Sequence, residues 1–340
     1  MSTTERAQAP EGPVAAAPRR EREGRVVGFF EAYALVILLG VVIIFFSLYS
    51  KTSDTFPTVG NFQAVVGNQA VVAIVALAAL IPIACNEWDL SVGATAGVSS
   101  IYVASAMSSG TPVLVAILLG LGIGLVVGLF NAVVVTRFGV NGIIATLGTA
   151  TLLAGVTQAK TGGVAIVANI PNSVVSFGSG NWLGIPKAGW LLIVITLGVY
   201  YLLNHTPFGR YVYAVGANPD AARLVGLRSN RLIGWSFVAA GVLAGGAGAL
   251  QVARAGGADP RVGEQFTLPA LAAAFLSAAA IQPGRYNVWG TIVAIFFLAA
   301  LNAGLNLAGS QDYITNFVNG AALIIGVGLA AYLGRKRKGA

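Results

Sequence analysis

Long apolar runs, separated by short polar segments, dominate the chain from about residue 30 to its end. The runs lie at about 32–49, 64–85, 90–108, 112–136, 140–159, 189–204, 232–253, 268–282, 287–308 and 314–333. Most approach the ~20 residues that a helix needs to cross the hydrocarbon core of a bilayer. The alternation that marks a membrane β-strand does not occur. The pattern predicts an all-α polytopic membrane protein with about ten transmembrane helices.

Two of the ten runs differ from the others. The third, SVGATAGVSSIYVASAM, and the eighth, LPALAAAFLSAAAIQ, are short or rich in Ser, Ala and Gly. We expect them to be broken or tilted elements, and the number of crossings falls to eight if neither spans the membrane.

The basic residues give the orientation, because Lys and Arg concentrate in cytoplasmic loops. With the N-terminus inside and ten alternating segments, fifteen of the 20 Lys and Arg lie on the inner side. The five outer ones are Lys51, Lys160, Lys187, Arg254 and Arg261. Both termini are therefore predicted to be cytoplasmic. They are a polar, disordered tail at 1–28 that does not resemble a cleavable signal peptide, and a basic tail at 335–340.

Composition supports the membrane class. The chain has 340 residues, of which 56% are hydrophobic and only 9% charged, whereas about a quarter of a soluble domain is charged. The net charge of +8 follows from the inner loops, so nucleic acid is not an expected partner. The 44 glycines indicate close helix packing, on faces such as Gly120, Gly124 and Gly128 or Gly241, Gly245 and Gly248.

An internal duplication is indicated by two offsets. DLSVG begins at Asp89 and DPRVG at Asp259, and LFNA places Asn131 where ALNA places Asn302. The offsets are about 170 residues, which gives five segments per half. An odd number of segments inverts the second half, so the chain is expected to be a five-plus-five inverted repeat.

Catalytic chemistry is not indicated. His205 is the single histidine and Cys85 the single cysteine, so we expect no metal site, no disulfide and no redox centre. The chain has no G-K-[ST] sequence and so lacks the phosphate-binding loop of an ATPase. We therefore expect a protein that is not an enzyme and binds no cofactor itself.

Polar residues at membrane depth are the candidates for function, because they are costly there. Glu87 and Asp89 lie between the second and third runs. They either line a cavity at a break in a helix, or form a solvated loop in which Asp89 caps the next helix. Each asparagine within an apolar helix binds a hydroxylated solute or joins two helices. The candidates for the substrate pathway are Asp89, Ser91, Asn131, Asn302 and Asn306.

A basic island, GANPDAARLVGLRSNRL at 216–232, interrupts the apolar pattern. Pro219 suits a first helical turn, Asn218 a cap before it and Gly226 the end of a two-turn helix. Its apolar and basic side chains suit docking into a groove on another protein. The alternative is an interfacial helix held by anionic lipid headgroups.

Three segments resemble permease subunits of ribose-type ABC importers. They are PFGRYVYAVGANPDAARLVGLRSNRL, WDLSVGA and NVWGTIVAIFFLAALNAGLNLAG, and the similarity covers roughly residues 30–335. The resemblance implies a permease domain at 29–334 and a cytoplasmic coupling loop at 205–231. It places the helix that docks on the ATPase at Pro219, Asp220, Ala221, Ala222, Arg223, Leu224 and Gly226.

The resemblance also implies the partners. They are a second copy of the permease, an ABC ATPase that holds ATP and Mg, an extracytoplasmic sugar-binding protein and the lipid of the bacterial inner membrane. Its cargo would be a monosaccharide or related polyol. The chain departs from the family at Glu87 and Trp88, where a glycine pair is usual, and at the shortened turn Pro283–Arg285. The alternatives are a related permease for branched-chain amino acids or nucleosides, and an ion-coupled secondary transporter.

Overall fold

The computed structural model describes residues 19–338, with side chains for 32–311 and 313–328. Thirteen α-helices make up nearly all of this part of the chain, so the predicted all-α class is confirmed. The helices, numbered in chain order, are α1 (Arg19–Leu48), α2 (Val59–Ala84), α3 (Val92–Ser108), α4 (Val113–Thr136), α5 (Gly142–Thr161), α6 (Asn172–Ser179), α7 (Lys187–His205), α8 (Pro207–Ala217), α9 (Pro219–Leu224), α10 (Ser229–Ala255), α11 (Val262–Leu276), α12 (Val288–Leu307) and α13 (Asp312–Lys338).

Each of the ten predicted apolar runs coincides with one of these helices. Among the described residues, six helices are long and apolar enough to cross a membrane: α2, α4, α5, α7, α10 and α12. The described parts of α1 and α13 add two shorter apolar helices, Ala32–Leu48 and Tyr313–Gly328. The remaining two runs correspond to α3 and α11, which at 1.5 Å per residue extend only about 25 and 22 Å. Both are shorter than the ~30 Å of a bilayer core.

Hydropathy placed several helix ends inaccurately. Helix α11 begins six residues before the predicted run, because Glu264 and Gln265 are polar yet helical, and it continues into a single 3-10 turn at Ser277–Ala279. Helix α1 begins at Arg19, within the segment 1–28 that the sequence predicts to be disordered, and 1–18 lie outside the described residues. Helix α13 extends through Lys338 into the predicted C-terminal tail, whose last two residues lie outside the described part.

Helix α2 forms the centre of the bundle. It is buried almost continuously from Ala70 to Ala84, and α7, α10, α11 and α12 pack around it. This explains why its sequence is apolar on every face, since a helix enclosed by others has no polar side.

Glycines allow a close backbone contact between α4 and α10. A Cβ on Gly124 would overlap the carbonyl oxygen of Gly241, and one on Gly245 would overlap that of Gly120. The two predicted small-residue faces therefore pack against each other, except that Gly248 faces α3. Without side chains the backbones approach closely, which is how helices associate when lipid offers no hydrophobic drive.

Two ends of the bundle are defined by contacts between loops and helix termini. At one end, Gly216 of α8 lies against Ala84 at the end of α2, and Asn230 donates to Thr136 at the end of α4. At the other end lie α6 and a short hairpin of two antiparallel strands, β1 (Asn181–Trp182) and β2 (Ile185–Pro186). The sequence did not predict this hairpin. We call the first the α8 end and the second the hairpin end.

Arg254 fixes the hairpin end. Its guanidinium donates to Gly178 O at 2.5 Å and to Asn68 Oδ1 at 2.7 Å. One side chain of α10 thus holds the C-terminal turn of α6 against α2.

Candidate functional site

The break between α2 and α3, residues 85–91, carries the first group of candidate residues. Helix α2 ends at Ala84, and Asn86 adopts a left-handed φ of 63° that prevents its continuation. Asp89 is only 1% exposed and accepts hydrogen bonds from the backbone N–H of Ser91 at 2.8 Å and its hydroxyl at 2.6 Å. Asp89 is therefore not solvated, and Ser91 occupies the cap position of α3 without a side-chain cap bond. The carboxylate instead closes a turn ahead of α3.

A chain of buried hydrogen bonds continues from Asp89 across three helices. Asn131 of α4 donates to Ser91 Oγ at 2.8 Å and accepts from the hydroxyl of Thr149 on α5 at 2.7 Å. All four side chains are at most 4% exposed. The structure thus brings together three of the five candidates, Asp89, Ser91 and Asn131, with each satisfying another's polar atoms.

Thr146 ties the same break to α5. Its hydroxyl accepts from the backbone N–H of Leu90 at 3.0 Å and lies 3.2 Å from the carbonyl oxygen of Trp88. Thr146 and Thr149 were missed in the sequence. Their one signal was a spacing of three residues on α5, which places both on one helical face.

Asn302 and Asn306 lie elsewhere, on either side of Gly304 of α12, which packs against Phe46 of α1. Asn306 is exposed. Among the described residues, the buried amide oxygen of Asn302 has no hydrogen-bond partner. These two candidates are not part of the Asp89 hydrogen-bond chain.

A cavity of about 850 Å³ lies between α3, α5 and the start of α11. This volume is within the usual range of small-molecule sites, roughly 300–1,000 Å³. Small residues form much of its wall, including Gly97, Gly155 and Gly263, and its polar groups come from Thr151, Thr157, Gln158, Arg261, Glu264 and Thr267. It reaches Gly162 and Gly163 after α5, so it lies toward the hairpin end.

The cavity was not predicted, because its lining comes from three helices distant in sequence. Its side chains can hydrogen-bond hydroxyl groups through the hydroxyl and amide groups of α5. The Asp89 chain does not line it, although both share α3, which begins one residue after Ser91.

Helices α3 and α11 meet near their starts, beside the cavity. A Cβ on Gly93 would overlap Thr267 and come within 2.5 Å of Gly263 O, and one on Gly263 would lie 2.9 Å from Gly93 O. Ahead of each helix an aspartate accepts from the backbone two residues on: Asp89 from Ser91, and Asp259 from Arg261 at 2.7 Å. The two turns, which the 170-residue offset in the sequence relates to each other, therefore contain the same type of hydrogen bond.

The predicted docking helix is present at the α8 end as α9. Asn218 caps it by accepting from the backbone N–H groups of Asp220 at 3.1 Å and Ala221 at 3.0 Å. Gly226 ends it with a φ of 84°. Six of the predicted residues form the helix, which ends two residues before the expected Gly226.

Exposure divides the docking helix into two sides. Ala222 is 4% exposed and faces the protein, whereas Leu224 is 89% and Val225 77% exposed. Arg223 lies 3.6 Å from Asp220 across an exposed ion pair. The outward surface is therefore an apolar tip beside basic residues.

Among the residues the structure describes, no group of three or more His, Cys, Asp or Glu side chains could hold a metal ion. The cavity wall itself combines small residues with hydroxyl and amide groups and the charged side chains of Arg261 and Glu264. These groups can form hydrogen bonds with a polar solute.

Comparison with known proteins adds a family match. The model of the family described as "Branched-chain amino acid transport system / permease component" matches residues 61–327. The ribose import permease protein of Escherichia coli strain K12 is 32% identical over 297 residues, covering 86% of this chain and 90% of its own length. That of Haemophilus influenzae strain Rd is 31% identical over 307 residues, covering 89% and 93%.

Other relatives have a different named cargo. The autoinducer 2 import system permease of Photorhabdus laumondii is 30% identical over 293 residues, covering 85% of this chain and 88% of its own length. No solved structure matches the chain.

Proposed function

The chain belongs to the branched-chain amino acid transport system permease family, a family of ABC importer transport subunits rather than enzymes, and we propose that it forms the path by which a monosaccharide or related polyol enters the cell. The observation that carries the proposal is the similarity to ribose import permeases over nearly the whole chain. The cavity between α3, α5 and α11 supports it, because hydroxyl and amide groups on α5 match the hydroxyl groups of a sugar.

The membrane arrangement that we propose has ten crossings, of which α3 and α11 are the two short ones, enclosed by other helices. The permease domain is 29–334, with both termini and the loop 205–231 in the cytoplasm of a bacterial cell. The α8 end is then cytoplasmic and the hairpin end extracytoplasmic, so the cavity opens outward. The basic residues support this orientation, since Arg137, Arg210 and Arg223 lie at or near the α8 end.

We propose that the two halves are an inverted repeat with α3 and α11 as equivalent elements. Two observations support this proposal. Gly93 and Gly263 face each other across the contact, and each helix follows a turn in which an aspartate accepts the same hydrogen bond. Such reciprocity is expected around a two-fold axis, because residue i then contacts j as j contacts i. Discontinuous helices at this axis commonly form the substrate site of transporters.

The partners proposed are those of an ABC importer. Helix α9 would dock on an ATPase subunit that binds ATP and Mg, and its exposed apolar tip supports this role. A second copy of the chain would complete the pathway, and an extracytoplasmic binding protein would deliver the sugar to it.

Transport in proteoliposomes tests the cargo. The chain is reconstituted with the ATPase and binding protein of the proposed importer. Uptake of labelled ribose, galactose, leucine and adenosine is then measured with ATP or a non-hydrolysable analogue. We expect uptake of a sugar that requires ATP hydrolysis. Uptake of leucine or adenosine alone would contradict the sugar proposal, and uptake without ATP would contradict the importer.

Docking is tested at the tip of α9. Replacing Leu224 and Val225 by Glu should reduce co-purification of the ATPase by tenfold or more, because acidic groups cannot enter an apolar groove without losing hydration. The matched control is Leu183→Glu at the hairpin end, where the side chain is 76% exposed. Equal ATPase recovery from the two variants would show that α9 does not dock. Ala222 is unsuitable for this test, since it is buried.

A further inference from the structure

Helix α8 is seated on the start of the break that precedes α3. A Cβ on Gly216 would overlap the carbonyl oxygen of Ala84, the last residue of α2. Val212, one turn earlier, is fully buried in a cluster with Ala84 and Cys85. Helix α8 is therefore closely packed against the end of α2.

A second contact joins α8 to the loop before α12. The guanidinium carbon of Arg285 lies 3.8 Å from the centroid of the Tyr213 ring. The hydroxyl of Tyr213 donates to the backbone carbonyl of Tyr286 at 2.8 Å. A cation over an aromatic face is attracted by the ring quadrupole, so the same tyrosine is held at both its face and its hydroxyl. We call Tyr213 and Arg285 the clamp.

Aromatic side chains continue from the clamp to the break. Tyr286 meets Phe275 of α11 edge to face at a centroid distance of 5.9 Å, and Phe275 meets Trp88 at 4.7 Å. Phe275 is 1% exposed, so it cannot yield into solvent. Trp88 belongs to the break itself. The hydroxyl of Thr146 lies 3.2 Å from its carbonyl oxygen and accepts from the backbone N–H of Leu90.

We propose that Tyr213 and Arg285 are positioning residues that transmit displacement of α8 and α9, through Tyr286, Phe275 and Trp88, to the break and so to the cavity wall formed by α3. The inference rests on the proposed importer function, in which the ATPase moves α9. Packed interiors pass strain from one contact to the next because they contain few voids. The clamp is the point where this route leaves the cytoplasmic helices, so its removal should separate ATP hydrolysis from the response of the cavity.

A cysteine in the cavity reports that response. Thr151→Cys places a thiol on the exposed side of α5, and the native Cys85 is only 2% exposed. Proteoliposomes that contain the permease and its ATPase are treated with a membrane-impermeant maleimide, with no nucleotide or with ATP and vanadate. With the clamp intact, the labelling rate should change by about fivefold or more, the lower end of ordinary allosteric coupling.

Clamp variants are measured in the same background. For Tyr213→Leu and for Arg285→Gln, the nucleotide should change labelling by less than about twofold, while the ATPase still co-purifies and hydrolyses ATP. The nucleotide should change the labelling rate of the double variant as little as it changes that of either single variant, because the two side chains act as one unit. Tyr213→Phe keeps the ring under Arg285 and should recover part of the response. A merely structural role would instead lower ATPase recovery and hydrolysis together.

Tyr211→Leu is the matched control, because Tyr211 is on the same helix but 44% exposed. In Tyr211→Leu, nucleotide should change the labelling rate as much as it does when the clamp is intact. If the intact clamp responds and the clamp variants respond equally, the transmission route is wrong and the importer function stands. If even the intact protein neither binds the ATPase nor responds to nucleotide, the importer function is wrong and the route falls with it.

Discussion

The contact between α4 and α10 gives a prediction whose size follows from geometry. A Cβ added to Gly124 would overlap Gly241 O and lie 2.8 Å from its carbonyl carbon and 3.0 Å from Gly245 Cα. Ordinary contacts begin near 3.4 Å, and all three atoms belong to backbone, so the two helices must separate. Gly124→Ala should therefore be an overpacking change, which typically costs about 1–3 kcal/mol.

Gly122 supplies the control within the same helix. A Cβ built there meets no described atom within 4 Å, so Gly122→Ala gains only helix propensity, about 1 kcal/mol. After that gain is allowed for in both variants, Gly124→Ala should be less stable than Gly122→Ala by about 1–3 kcal/mol.

Unfolding of the purified protein in mixed micelles, followed by intrinsic fluorescence against increasing SDS, measures the difference directly. The transition of Gly124→Ala should move to lower SDS and that of Gly122→Ala to equal or higher SDS. Coincident transitions would refute the close approach of the two helices. Gly241→Ala serves as a second variant, since it enters the same contact from the α10 side.

Two further predictions concern polar contacts. Asn131→Leu removes the hydrogen bonds to Ser91 and Thr149, but Ser91 keeps its bond to Asp89 and Thr149 keeps its bond to Ala145 O. The loss of unfolding free energy in the same SDS assay should therefore be only about 1–2 kcal/mol. A loss above about 3 kcal/mol, comparable to that of an unpaired buried charge, would show that the hydrogen bonds are organised differently. Arg254→Gln loses the hydrogen bonds to Gly178 and Asn68, so proteolysis within 162–186 should become at least threefold faster in outside-facing proteoliposomes. Lys160→Gln, which neutralises a basic residue at the same end, should leave that rate unchanged. Equal rates for the two variants would show that Arg254 does not hold α6 against α2.

The presence of each helix could be predicted from the sequence, because a helix satisfies its backbone hydrogen bonds within one short segment. Each of the ten apolar runs is a helix, since a buried backbone must satisfy its hydrogen bonds within the segment. The cap of α9 was also foreseeable, because Asn218 and Pro219 act on their own immediate neighbours. Helix ends were less accurate where polar residues such as Glu264 are helical, since hydropathy registers burial rather than backbone geometry.

The site was only partly visible in the sequence. Asp89, Ser91 and Asn131 could be chosen because polar groups at membrane depth are costly, but their partner Thr149 has no such signal. Asn302 was chosen on the same grounds as Asn131, and yet it lies on a different face of the bundle.

The amino-acid sequence alone determined the membrane class, the helical segments and the short helix α9, because hydropathy, caps and charge bias act over a few residues. Tertiary structure decided which side chains meet: Gly124 with Gly241, Ser91 with Asn131, and Trp88 with Phe275. It also decided that Ala222 faces inward and Leu224 outward. These pairings join residues that are forty or more positions apart in the chain. They depend on how the helices pack together, and no local property of either partner specifies that.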